Sequence, residues 1–361
     1  MSLNVIPLDD HAAEWDALLS RLAPRQRDIF FTSSWLLLWQ RRGDGRAVGA
    51  YHEDGGGLIL YPFLLRELST VPYLGDAFAG YFDTSTPYGF GGPLVEHQAQ
   101  EESVGTFRRD FSEWCREHRV VSESVQFHPL LDTRLPFDGF MEIDEAGQVV
   151  WCRFDRGACR VGDQLTQIAR RNVRTARDAG LTCRIETGEA AYRRFGELYL
   201  DNAVRRRAPQ AERFDAEHFL ALRDALGKAQ VLFGVRHNGE LVAGALFLRG
   251  ADFAHFHVLA TDRRVASLRP ANLVFFEALQ WARGLGVSAI GLGGGDRGDD
   301  ELLRFKSGFA PLRAPRFVGR AIHLPEVYIK ASKRRDEHGE VLDCDFFPAY
   351  CSPLRDESLL G

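Results

Sequence analysis

Apolar positions recur at helical spacing in several windows. Trp15, Leu18, Leu19 and Leu22 share one face over residues 11–22, which predicts a helix. Thr32, Ser33 and Ser34 offer hydroxyl caps ahead of the apolar run 35–39, a second helix start. A strand at 47–51, a glycine turn at 55–57 and a strand at 58–65 follow. Val104, Phe107, Phe111 and Trp114 then mark a helix face, and 120–127 a strand. The second half repeats this order. Residues 165–179 and 192–204 read as helices, and 231–235 as a strand. Asn238-Gly239 is a hairpin signal, because both residues tolerate positive φ. Strands at 241–248 and 253–260 come next, and Pro270 opens a helix lined by Leu273, Phe276 and Leu279. A strand at 287–292 and a short helix close the unit, and the tail from Ile329 reads as helical or frayed. The match between AVGAYHEDGGGLILYPFLLR and VLFGVRHNGELVAGALFLR suggests two copies of one α/β unit, joined by residues 147–155.

Composition refines this picture. With 361 residues, 45% hydrophobic and 26% charged, the chain reads as an ordinary globular protein of two domains. The expected bounds are 1–150, completed by 321–361, and 151–320. The N-terminus has no basic start and no apolar run, so no signal peptide is expected, and no segment is apolar enough to span a bilayer. The six cysteines show no CxxC spacing and no metal pattern with histidine; reduced thiols in a cytoplasmic protein are expected. A net charge of −5 argues against a DNA-binding protein. Residues 1–150 balance at −11 and the remainder at +6, so the second half is suited to a phosphorylated ligand.

Of the 45 basic residues other than histidine, only four are lysines, and one of them, Lys306, lies in the patterned segment DDELLRFKSGF (299–309). Arginine is a fixed planar fork; lysine is a compact charge whose pKa falls on burial. Lys306 is therefore the first candidate for chemistry, against the alternative of a solvated lysine on an amphipathic helix. Gly293, Gly295 and Gly298 spell GxGxxG, but no acidic residue follows at the dinucleotide-binding distance, so a glycine turn near a ligand is the expected use. The segment YFDTSTPYGFGGPL (81–94) packs Tyr81, Asp83, Tyr88, Gly89, Gly91 and Gly92 into an irregular loop suited to wall a pocket, or to connect two domains. Arg170, Arg174 and Arg177 share a helix face beside Arg171, and Arg205, Arg206 and Arg207 sit at a helix end; either group can grip a phosphate or remain solvated. His255 and His257 alternate on one strand without an evident third metal ligand, so paired pocket or core histidines are expected and no metal. There is no GxSxG elbow and no GxxxxGK[ST] loop, which weakens hydrolase and ATPase readings.

FFTSSWLLLW (30–39), FDTSTPYGFGGPL (82–94), QFHPLL (126–131), ARRNVRTARDAGL (169–181), AVRRRAP (203–209) and LLRFKSGF (302–309) together resemble the FemABX-like branch of the GNAT acyltransferase superfamily. This branch is related to peptidoglycan-bridge aminoacyltransferases and CelD-like acetyltransferases. The resemblance implies an α/β (mixed α+β) fold of two tandem GNAT-like domains, with mixed, mostly antiparallel sheets flanked by helices and the C-terminal segment returning to the first. It implies acyl or aminoacyl transfer to an amine, with a peptidoglycan precursor or other cell-envelope acceptor, lipid-linked or nucleotide-linked. No tightly bound cofactor is expected; the donor is aminoacyl-tRNA, entering by its acceptor end, or acyl-CoA. Lys306, Asp83 and Tyr88 become the catalytic candidates, and Phe305, Arg304, Tyr81, Gly89, Gly91, Gly92, Arg174, Arg206 and His257 the substrate-binding ones. Lys306 is the expected cation for the growing oxyanion, and Asp83, Tyr88 or His257 the expected proton acceptor. Two departures stand out. No long charged heptad arm is present, and RRVASLRPAN (263–272) replaces the pyrophosphate loop R/QxxGxG/A, which favours aminoacyl-tRNA over CoA. An acetyl-CoA-dependent N-acetyltransferase acting on a sugar or small amine, and a non-catalytic GNAT-like binding protein, are the alternatives.

Overall fold

A computed structural model describes residues 3–55, 57–96, 101–154, 161–209, 212–295, 301–337 and 346–352. In chain order the elements begin with strand β1 (Asn4–Pro7), helices α1 (Leu8–Arg21) and α2 (Ser33–Arg42), strands β2 (Arg46–Asp54), β3 (Gly57–Glu67), β4 (Phe82–Ser85) and β5 (Leu94–Val95), helix α3 (Glu101–Glu117) and strand β6 (Val120–Gln126). Strand β7 (Glu142–Arg153), helices α4 (Val161–Gln164) and α5 (Gln167–Asp178), strand β8 (Thr182–Glu186), and helices α6 (Glu189–Arg205) and α7 (Ala216–Leu226) follow. The remainder comprises strands β9 (Gln230–His237), β10 (Glu240–Arg249) and β11 (Phe253–Thr261), helix α8 (Pro270–Gly284), strand β12 (Ala289–Gly294), helix α9 (Glu301–Ser307), strand β13 (Leu312–Ile322) and helix α10 (Pro325–Asp336).

The chain forms two compact units. One comprises 1–23, 30–146 and 316–361; the other comprises 24–29 and 147–315. Local chemistry explains several element ends. The Thr32 hydroxyl accepts from Trp35 N and caps α2, and Gly43 ends that helix at φ +94°. Asn238 and Gly239 take φ of +51° and +86° in the β9–β10 hairpin. Pro270 occupies the first turn of α8.

Both units have the same sheet plan. In the first, β1-β2-β3-β4 pair antiparallel, β4 pairs parallel with β6, and β6 antiparallel with β13. In the second, β8-β9-β10-β11 pair antiparallel, β11 pairs parallel with β12, and β12 antiparallel with β7. The crossover helices are α3 and α8. The closing strands are exchanged along the chain: β7 follows β6 yet pairs with β12, and β13 follows β12 yet pairs with β6. Of residues 147–155, expected as a joint, the stretch through Arg153 belongs to strand β7, with Val149–Arg153 in its ladder, and Asp155 lies outside the described residues. The loop expected at 81–94 contains the inner strand β4, with partners on both edges. The tail from Ile329 is helical, inside α10.

Helix α3 covers one face of the first sheet, where Phe107, Phe111 and Cys115 pack on Tyr61, Phe63 and Val125. In the second unit, α5 and α8 cover a core of Val173, Phe247, Phe275 and Leu279. Segment Pro24–Ile29 joins this unit through Asp28, fully buried, whose Oδ2 lies 2.7 Å from His255 Nε2. Gly250 permits that approach; a Cβ there would lie 2.5 Å from Asp28 Oδ1.

Candidate active site

The second unit has an opening in its sheet. Strands β11 and β12 pair over only three positions, Phe253–Ala289, Ala254–Ile290 and His255–Gly291, although both strands run on. Two register shifts flank the point where the ladder stops. Strand β10 slips against β11 between Leu246 and Phe247, leaving His257 as the extra residue, and β12 slips against β7 between Gly291 and Gly293. Backbone beyond Phe256 and beyond Leu292 is thus not spent on the β11–β12 ladder. In the first unit the matching ladder stays shut. All four residues of β4 pair with β6, Thr86 N donates to Ser124 O, and Gly91 bridges to Phe127.

Lys306 lies at this opening. It is 4% exposed, and its Nζ donates to Gly294 O at 2.6 Å while sitting 5.0 Å from the Phe256 ring centroid. One contact belongs to β12 and the other to β11. A carbonyl and a ring face are both attractive to an ammonium ion held out of water. Gly293 has φ +73°, and a Cβ on it would lie 3.4 Å from Nζ. Phe305 packs edge-on against Phe275 at 5.3 Å, and Phe275 lies 5.1 Å from Phe256, so the lysine's stem is bedded in aromatic core. Arg304 is exposed on the same helix. Gly298, the last glycine of the GxGxxG string, lies outside the described residues, as do Asp299, Asp300, Cys159 and Cys344.

The other candidates of this unit are distributed elsewhere. His257 is buried and stacks on Phe214 at 6.4 Å, which in turn stacks on His218 at 4.3 Å. Burial, then the neighbouring His218, pushes its pKa down to about 3, so the imidazole is uncharged at neutral pH. His255 is committed to Asp28. Arg174 is exposed on α5, and Arg206 lies over the Tyr199 ring at 5.9 Å, with Glu212 4.0 Å away.

In the first unit, Asp83 is 1% exposed and its two oxygens are engaged. Arg66 grips them from Nε at 3.0 Å and Nη2 at 2.6 Å, and Tyr350 donates to Oδ2 at 3.0 Å. Both oxygens are thus committed to hydrogen bonds within this unit. Burial opposes the Arg66 charge, yet the Asp83 carboxylate prevails and raises the arginine's pKa. Tyr88 stacks on Trp39 at 5.5 Å and is 39% exposed, so its ring reaches solvent. Tyr81 packs below Arg119 and joins the Tyr350 cluster. The three glycines serve close packing: a Cβ would lie 2.4 Å from Phe30 at Gly89, 2.8 Å from Thr86 at Gly91 and 2.6 Å from Thr133 at Gly92.

The sequence reading missed a buried ionic cluster. Arg108 binds Glu123 through both terminal nitrogens, at 2.9 and 3.1 Å; Tyr61 OH donates to Oε1 at 2.8 Å, and His323 Nε2 lies 3.2 Å from Oε2. Three of the four residues come from separate elements and one from beyond β13, so no local spacing marks them.

The opening between parallel strands beside a buried lysine lies in the part of the chain that a known family matches. Residues 163–307 match the family model described as an acetyltransferase (GNAT) domain, ending one residue past Lys306, so this part of the chain is a GNAT-type domain. Its fold over nearly the whole length is that seen in the crystal structure of FemX, with a TM-score of 0.68 and 14% identity over 91% of this chain and 99% of that one. The structure of L-PGS from Bacillus licheniformis (TM-score 0.54, 13% identity, 85% of this chain and 90% of that) is also similar. So is the C-terminal domain of a putative lysylphosphatidylglycerol synthetase from Agrobacterium fabrum (0.51, 13%, 86% and 90%). At such identities the likeness is one of fold. No curated protein matches the sequence. Among the described residues no helix is long and apolar enough to cross a membrane.

Proposed function

We propose that the protein moves an aminoacyl group from an ester donor, aminoacyl-tRNA, to the amine of a cell-envelope acceptor such as a peptidoglycan precursor, in the cytoplasm. The observation that carries this reading is the Lys306 ammonium at the opening between β11 and β12. The acceptor nitrogen attacks the carbonyl carbon, negative charge grows on the carbonyl oxygen, and the carbon–oxygen bond to the donor breaks with its electron pair leaving on the donor oxygen. The amine's proton passes to water or to that departing oxygen, because Asp83 is tied to Arg66 and His257 stays neutral. Lys306 supplies a fixed cation for the oxyanion, an effect of about 3 kcal/mol for one well-placed donor. Phe305 and its aromatic neighbours support the lysine; the exposed Arg304 on the same helix, and Arg174 on α5, are cations on offer to the donor's phosphates. Asp83 becomes a scaffold residue, and Tyr88 keeps a place on the acceptor side.

The ester donor is favoured over CoA by the turn after β11. Residues Arg263–Leu268 form a 3-10 helix in which Arg264 is held by Asp262 at 2.6 Å, without glycines to cradle a pyrophosphate. One neighbour in fold is described as a putative lysylphosphatidylglycerol synthetase, which accords with aminoacyl transfer. The second reading, acetyl-CoA-dependent N-acetylation of a sugar or small amine, is favoured by the description of the matching family. Transfer assays with an aminoacylated RNA minihelix and with acetyl-CoA, each against a panel of amines, separate the two. Lys306→Met is expected to lower kcat/KM with the true donor by about 10²–10³. An unchanged value removes the electrostatic role, and no transfer from either donor reduces the protein to a binding module.

A further inference from the structure

One face of the first unit's sheet is only partly covered. Helix α10 and the turn Ala349–Cys351 close it at Ser122, whose Oγ meets Tyr350 OH at 2.7 Å. Cover ends along β6: Ser122 is buried, Ser124 half-buried and Gln126 exposed, and these alternate positions share one face. The register places Ser85 of β4 opposite Ser124 on one side and Arg320 of β13 opposite it on the other. Two residues beyond Val318, which faces Gln126, comes Arg316. Its Nη2 donates to Ala146 O at 2.6 Å and its Nη1 lies 3.5 Å from Gln126 Oε1. Arg66, Arg108 and Arg320 of the same unit each have a carboxylate. Among the described residues none pairs with Arg316. Burial lowers its pKa, with no anion to offset the effect. A half-buried guanidinium bound only to neutral oxygens retains its capacity for a two-pronged anion contact.

The strip also lies where ligands collect in α/β sheets, at the carboxyl ends of the parallel pair β4 and β6. The glycine loop meets it there: Gly91 N donates to Gln126 O at 2.7 Å, and Gln126 N donates to Thr86 Oγ1 at 3.0 Å.

We propose that the strip of Ser85, Ser124, Gln126 and Arg320 around Arg316 is a binding site for an anionic oxygen group, a carboxylate or a phosphate. The acyl-transfer reading enters only in calling that group part of the acceptor. The fork of Arg316 takes two oxygens, and the serine hydroxyls donate to a third oxygen of a phosphate or share one of a carboxylate's two. The test is binding to the full chain, read by ³¹P line broadening for inorganic phosphate and by saturation transfer for N-acetyl-dialanine, whose only charge is its carboxylate. The stronger of the two identifies the source of the anion. Arg316→Gln is expected to weaken it about ten- to hundredfold, as loss of charged hydrogen bonds does. Arg316→Lys retains part of the affinity, and Ser124→Ala loses a smaller part. Binding of both probes unaltered in Arg316→Gln and Ser124→Ala, or absent from the wild type, overturns the site. A strip that binds in a chain without transfer activity refutes the acyl-transfer reading and leaves the site standing. Transfer that depends on Lys306, with acceptor KM unchanged in Arg316→Gln, refutes the site as part of the acceptor cleft.

Discussion

Glu123 permits a sharp test of how the first unit is held together. It is fully buried, and its partners are Arg108, Tyr61 and His323. Burial favours the protonated acid, but the Arg108 charge and the hydrogen bonds from His323 and Arg108 outweigh it and bring the pKa from 4.5 down to about 2. Below an unfolded-state pKa the unfolded chain gains a proton that the native carboxylate refuses. The stabilisation is therefore complete above about pH 5 and is lost as pH falls toward 2, by roughly 3 kcal/mol. Glu123→Gln removes that slope. It also leaves Arg108 buried and uncompensated, at a cost of about 3–5 kcal/mol at neutral pH. The double variant Arg108→Met/Glu123→Leu is expected to lose less than Glu123→Gln alone, since neither charge then remains. Urea unfolding followed by tryptophan fluorescence suits the question, because Trp15, Trp35, Trp39 and Trp114 belong to this unit and only Trp151 and Trp281 to the other. A Glu123→Gln protein whose stability falls between pH 5 and 2 as steeply as the wild type refutes the assignment.

Asp83→Asn is expected to act on stability rather than chemistry. Unfolding free energy falls by about 2–4 kcal/mol, while turnover per folded molecule, by active-site titration, stays within about threefold; a collapse of kcat without loss of stability returns Asp83 to the reaction. His257, lowered from 6.5 to about 3, stabilises fully above pH 6.5 and loses that contribution as pH falls toward 3, because the unfolded chain takes the proton first. His257→Leu should flatten the thermal stability profile between those limits, and the wild-type imidazole ¹³C shift should hold constant from pH 8 to 5.

Much of the element order was legible because its signals are local. Thr32 caps α2, Asn238-Gly239 turn the hairpin and Pro270 starts α8, each by constraining its own few residues. Lys306 was legible for a different reason: in a chain that takes its positive charge from arginine, a lysine on a patterned helix stands out. What escaped depends on partners far away in sequence. Four residues of β4 inside a proline- and glycine-rich stretch carry no strand signal of their own; they extend because β3 and β6 receive them on either edge. Asp83 reads as a free carboxylate until Arg66 and Tyr350 reach it. The edge strands β1 and β8 are short, β1 mostly half-buried and β8 mostly exposed, so they lack the long apolar run that betrays an inner strand. The exchange of β7 and β13 has no local cause at all.

That exchange governs the order in which the protein can be completed. On the ribosome, residues 30–146 emerge with the β6 edge lacking its neighbour and Asp83 still waiting for Tyr350, and 147–311 must be made before β13 begins to appear. The second unit has its whole ladder in one continuous run, with β7 at its start, and the segment 24–29 is already made, so it can settle first. The first unit spends that interval as an unfinished sheet with an open edge, which makes it the part of the nascent chain that a chaperone is most needed to guard.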